Sequence, residues 1–150
     1  MGRTRYPDQF KIVPGDRHYV ARAEREVPAA LEGARIYSVA AHQHLAGTDM
    51  KIDLLQAARE GAADTQCLLQ DRWDFHWQRS YTYDAPIEAL PVLHAGDKLA
   101  LRCTYDNSMG NERLATEYRA RGLTLSEIVL GEKTTDEMCL AIPRVLLPAR

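Results

Sequence analysis

With 150 residues, the chain has one domain's length and can bury a core without help from metals or disulfides. Nineteen Lys and Arg against 21 Asp and Glu leave a formal charge of −2, which excludes the strong single-sign field of a nucleic-acid or acidic-membrane binder. No run approaches the roughly 20 apolar residues of a membrane span, so no nucleic-acid partner and no membrane span are expected.

Met1 to Asp16 is polar, carries Pro7, Pro14 and Gly15, and lacks the apolar stretch of a secretory signal. Residues 1–17 read as a linker or extension and 18–150 as the folded domain. On this ground alone the chain is either cytoplasmic or has lost a leader. From Tyr19 alternation dominates: Tyr19, Ala21 and Ala23 face one way, and His18, Arg22, Glu24 and Glu26 the other. Glu32-Gly33 predicts a turn, and Arg35 to Leu45 a strand whose odd positions are the more apolar. His42 and His44 then share its less apolar face. Met50 to Leu55 follows as a further strand.

Trp73 to Gln78 reads as a strand with Trp73, Phe75 and Trp77 on one face. Pro86 and Pro91 bracket a short edge segment, and His94 to Asp97 is a turn. Lys98 to Tyr105 is a strand with Leu99, Leu101, Cys103 and Tyr105 on one face. Asn111 to Arg121 is the best helix candidate, with Leu114 and Tyr118 four apart, in an excursion between two strands. Glu137 to Ile142 and Val145 to Leu147 are predicted as separate strands, interrupted at Pro143. Together these predict an all-β, jelly-roll-like β-sandwich of about eight antiparallel strands in two sheets, with Trp73, Phe75, Trp77, Leu99 and Leu101 in its core.

His42-Gln43-His44 is the central chemical signal. On a strand, residues i and i+2 point the same way, so both rings can reach one metal, and neutral imidazole suits copper, zinc, nickel and iron. Two histidines on a strand can equally be half-buried side chains that bind nothing. A third ligand is needed, and His18, His76, His94, Met50, Met109, Met138 and the cysteines are all candidates. Met138 lies in the polar run Thr134-Thr135-Asp136-Glu137-Met138-Cys139, which makes it less obviously a core residue. Three cysteines, Cys67, Cys103 and Cys139, rule out a fully paired monomer and leave open one pair or three thiols.

The order of motifs resembles the C-terminal catalytic domain of the copper type II, ascorbate-dependent monooxygenases, the family of peptidylglycine and dopamine hydroxylating enzymes and their bacterial relatives. The matching pieces are Val39-Ala40-Ala41-His42-Gln43-His44-Leu45-Ala46-Gly47, Trp73-Asp74-Phe75-His76-Trp77-Gln78, Gly96-Asp97-Lys98-Leu99 with Cys103-Thr104-Tyr105-Asp106, and Asp136-Glu137-Met138-Cys139. The resemblance implies that His42, His44 and Met138 ligate an oxygen-activating copper, since a thioether favours Cu(I) and imidazoles serve both oxidation states. It also implies a Cys103–Cys139 disulfide, with Cys67 free, and hence a periplasmic or secreted protein.

The departures from the family matter equally. Family enzymes carry a first domain with an electron-donating copper on three histidines, and no clustered histidines remain here to build one. An electron-donor domain or protein, ascorbate or another external reductant is therefore an expected partner, alongside a small-molecule substrate. Peptidylglycine enzymes place an arginine two residues before the first ligand histidine and an asparagine and a tyrosine shortly after the methionine. Ala40, Leu140 and Ile142 stand at those places, so a glycine-extended peptide is not the expected substrate. The expected function is a mononuclear copper domain of monooxygenase type; the alternative is a copper-binding or partner-interaction module without turnover.

Overall fold

Alternating segments become strands wherever one face finds a core to cover it. The computed structural model describes residues 10–59 and 64–149. Within them lie β1 (Lys11–Ile12), β2 (Tyr19–Glu26), β3 (Arg35–His42), β4 (Gly47–Leu55), β5 (Thr65–Arg72), β6 (Ser80–Thr82), β7 (Lys98–Tyr105), β8 (Ile128–Val129) and β9 (Leu140–Leu146), with one α-helix, α1 (Glu112–Ala120). The strands pair antiparallel as β2-β7-β4-β5, β6-β3-β9 and β1-β8. The domain is thus almost all-β and consistent with a sandwich. It has nine strands in three sheets among the described residues, rather than about eight in two. The difference comes from the short β1-β8 ribbon, whose pieces are too brief to show alternation.

One core joins the two larger sheets. Ala21, Leu101, Cys103, Met50, Ile52, Leu54 and Leu68 come from the four-stranded sheet, and Ile36 and Val39 from the three-stranded one. Phe10 and Ile12 pack into the same core, as do Leu114 and Tyr118 of α1. The helix within the Asp106–Lys133 excursion is therefore anchored. Its N-cap is Asn111, whose side chain accepts from the Leu114 N–H, and the turn after it holds Gly122 at φ +64°.

Three strand expectations need correction. Ile36 and Val39 are both buried because the pairing with β9 shifts register between Ile36 and Ser38. That bulge reverses the inward face, so the odd positions point inward only after it. Trp73 to Gln78 is a connection between β5 and β6, not a strand. Trp73 is buried, Phe75 is half-buried and Trp77 is 58% exposed with the Arg79 guanidinium stacked on it. β9 runs unbroken through Pro143, which is tolerated because β9 is an edge strand. Glu137 lies before it. Conversely, β5 was not legible, because its apolar Leu68 and Leu69 are adjacent rather than alternating.

The turn before β7 is held by Asp97, which is fully buried. Its carboxylate accepts from the amides of Ala57 (2.9 Å) and His94 (3.1 Å) and pairs with Arg59, joining the end of β4 to the start of β7. Burial works to raise the Asp97 pKa, but the Arg59 hydrogen bond and the two amides outweigh it and hold the group below the ordinary carboxylate value. A depressed folded-state pKa gives stability that is complete above the unfolded value and disappears as pH falls through the folded one. Asp97→Asn is expected to cost about 1–3 kcal/mol at neutral pH and to flatten the loss of stability below pH 4 or so, as read by urea unfolding across pH.

Candidate metal centre

β3 delivers His42 at its last position, and the chain then turns through Gln43 to Ala46 into β4. Gln43 is fully buried and donates to the Asp49 carbonyl, 3.0 Å away, which anchors the turn from inside. The imidazoles of His42 and His44 meet nearly edge to face, with centroids 5.1 Å apart. His42 is half-buried on the strand, whereas His44 lies beyond it and is only 5% exposed. The pair therefore comes together through a turn rather than through strand alternation.

Each ring is oriented by an oxygen acceptor at Nδ1. His42 Nδ1 lies 2.7 Å from Gln78 Oε1, and the Gln78 amide is itself oriented because its Nε2 donates to the Phe75 carbonyl. His44 Nδ1 lies 3.0 Å from the Asp136 carbonyl. With hydrogen on Nδ1, a neutral imidazole carries its lone pair on Nε2, the form suited to metal ligation. Burial lowers the His44 pKa, opposed by the Asp136 and Lys133 carbonyls and assisted by the charge of His42. The neutral, ligand-competent ring is favoured.

Trp73 seals the turn from below. Its indole N–H donates to the His44 carbonyl at 2.9 Å, and its ring lies 6.1 Å from that of His42. The close approach requires Gly47, where a Cβ would stand 2.6 Å from Trp73 Cδ1 and 2.7 Å from Gln43 Oε1.

Glu137 is the residue that sequence reasoning left without a role. It is fully buried. Oε2 accepts from the His44 amide (2.8 Å) and the Met138 amide (3.1 Å), and Oε1 from the Ala46 amide (2.7 Å). Burial pushes its pKa up to about 8, against the opposing pull of these amides and that of Gly47. Donors fill both oxygens, an arrangement suited to the ionised group. The one sequence signal was an acid inside an otherwise matched motif; its partners lie up to 93 residues away.

Met138 follows directly and is half-buried. Its carbonyl accepts from Tyr105 Oη at 2.8 Å, and the next residue, Cys139, is disulfide-bonded to Cys103 of β7. Cys67 is free and exposed. Helix α1 braces both flanks of the site. Arg113 donates to the Trp73 carbonyl and pairs with Asp74 at 3.1 Å, while Arg121, at its C-cap, donates to Thr134 Oγ1 at 3.1 Å.

The other candidate ligands have partners or places of their own. His94 pairs with Glu32 and His76 with Glu117, His18 lines a surface with Arg22 and Arg102, Met50 is core and Met109 is exposed. Among the described residues no group of three His, Cys, Asp or Glu is placed to hold a metal ion. Glu137 ties the backbone of Met138 to that of His44, and two imidazoles with a thioether are a donor chemistry that suits copper.

Fold and site together define a class: an almost all-β domain in which a paired-histidine turn is clamped to a disulfide-anchored methionine segment. The family model for the copper type II ascorbate-dependent monooxygenase C-terminal domain matches residues 3–142, and the chain belongs to that family. No curated protein matches the chain.

Glu137→Gln keeps the volume but presents an N–H₂ where one carboxylate oxygen received an amide. It is expected to cost about 1–3 kcal/mol, read by denaturant unfolding of the metal-free protein. Glu137→Ala should cost more, because all the amides then lose their acceptor.

Proposed function

We propose that this chain is the oxygen-activating copper domain of a monooxygenase-type protein, with a single copper held by His42, His44 and Met138. The observation that carries this reading is the pair of oriented imidazoles, each with Nδ1 on an oxygen acceptor and hence Nε2 available to a metal. Family membership supports copper as the metal. Copper bound there would supply one-electron redox chemistry and an open position for oxygen. The chain's own residues do the rest. Gln78 and the Asp136 carbonyl hold the ring orientations, Glu137 holds the His44 and Met138 backbones at one separation, and Trp73 and Phe75 wall the site with apolar rings.

Hydroxylation of a C–H bond by O₂ consumes two further electrons and two protons, leaving one oxygen atom in the product and one in water. A single copper passing between Cu(I) and Cu(II) supplies one electron. The second must come from ascorbate, another external reductant or a partner redox domain or protein. An isolated, copper-loaded chain is therefore expected to hydroxylate poorly. Coupled turnover at one product per O₂ by this chain alone would show the electron count to be wrong. A second reading is a copper-binding or partner-interaction module without turnover. The two separate on ascorbate-dependent oxygen consumption with an electron donor present. The Cys103–Cys139 bond fits a periplasmic or secreted setting.

Met138→Ala is expected to weaken Cu(I) binding more than Cu(II) binding and to lower the reduction potential, because the thioether prefers Cu(I). His42→Ala and His44→Ala should weaken both states. Competition titrations in each oxidation state, with X-ray absorption for the sulfur shell, read the difference. Equal losses in both states would remove Met138 from the ligand set.

A further inference from the structure

Alternation on β3 and β9 carries one sheet face away from the histidine turn. Register pairs His42 with Leu140, Ala40 with Ile142, Ser38 with Arg144 and Arg35 with Leu146. The intervening residues Val39, Ala41, Ala141 and Val145 pack on the core, so Leu140, Ile142 and Arg144 share the outward face with Ala40 and His42. Ile142 is 47% exposed, while Leu140 and Ala40 are half-buried. β6 extends this face with Ser80 opposite Ala40 and Thr82 opposite Ser38.

An apolar strip therefore starts beside His42 and ends at a cation. The positions this register places on the face include Arg35 and Arg144 and no carboxylate. Arg35 is engaged by the carbonyls of Glu88 and Leu90. Arg144 is exposed and has no ion pair among the described residues. Close to His42 no charged group lies on this face: Ala40, Leu140 and Ile142 are apolar, Ser80 offers only a neutral hydroxyl, and both ends of the Gln78 amide are used, on His42 and on the Phe75 carbonyl. Leu140 and Arg144 are four residues apart, which at about 3.4 Å per residue separates them by about 14 Å.

We propose that this strip seats the substrate, and that the substrate is an organic anion with a hydrocarbon body. The body lies over Leu140, Ile142 and Ala40 and presents a C–H bond beside His42. Its carboxylate, or a similar oxyanion, reaches Arg144. The assignment as substrate rests on the copper reading above. The choice of ligand class rests on the strip itself: apolar burial drives binding, and the lone cation fixes direction and length.

The test uses the copper-free chain, with decanoate as the spanning probe, butyrate as the short one and 1-octanol as the neutral one, followed by the methyl resonances of Leu140 and Ile142. Decanoate is expected to shift both methyl sets and to bind more tightly than butyrate. Arg144→Gln should weaken decanoate by about three- to tenfold and leave 1-octanol unchanged. Ile142→Asp, at an exposed position, should abolish binding of both decanoate and 1-octanol. The proposal is overturned if decanoate leaves these methyls unmoved, if Arg144→Gln has no effect, or if the methyls respond only to protein concentration, which would assign the strip to a second copy of the chain. Cu(II) uptake is measured separately by electron paramagnetic resonance. Decanoate binding by a wild type that takes up no copper would overturn the copper reading and leave the anion strip standing.

Discussion

A carboxylate withdrawn from water must find hydrogen-bond donors, and much of the site follows from how Glu137 finds them. Its donors are backbone amides of His44, Ala46 and Met138, so one side chain sets the distance between the turn carrying the histidines and the segment carrying the methionine. Each amide would otherwise be buried without an acceptor, at a cost comparable to a lost hydrogen bond apiece. The arrangement is therefore mutual: the acid needs the turn, and the turn needs the acid.

The remaining supports converge on the same two segments. The Cys103–Cys139 bond and the Tyr105 hydroxyl tie the methionine segment to β7, and β7 is a central strand of the larger sheet. Helix α1 holds the loop that brings Gln78 to His42, and through Arg121 it reaches the turn that brings the Asp136 carbonyl to His44. Partners that are themselves locked preorganise both segments, which is what the proposed copper would require of its ligands. The excursion between β7 and β9 is thus part of the site's scaffold rather than a surface ornament.

The sheet face beyond the histidines is built differently from the turn that carries them. Around the histidines both Nδ1 atoms, the Gln78 amide and the Glu137 carboxylate are engaged, while the sheet face beyond them carries exposed Ile142 and, among the described residues, a cation without an ion pair. In the reading proposed above, the hydrogen-bonded end would hold an ion and the open apolar strip would accommodate a hydrocarbon.

Much of this was legible in the amino-acid sequence, for local reasons. Alternation exposed β2, β3, β4 and β7, and the i, i+4 pair Leu114 and Tyr118 with a following glycine marked α1. The spacing of His42 and His44, and the run ending in Met138 and Cys139, pointed to the family. What sequence could not supply depends on contacts between distant segments. A bulge near Tyr37 reversed the inward face of β3, because register is chosen by the partner strand. Trp73 to Gln78 alternates like a strand, yet it forms a loop whose indole is drawn onto Gly47 and the His44 carbonyl. The role of Glu137 appears only once the fold brings its amide donors together, because a buried acid in isolation is unfavourable and only tertiary structure can place enough N–H groups around it.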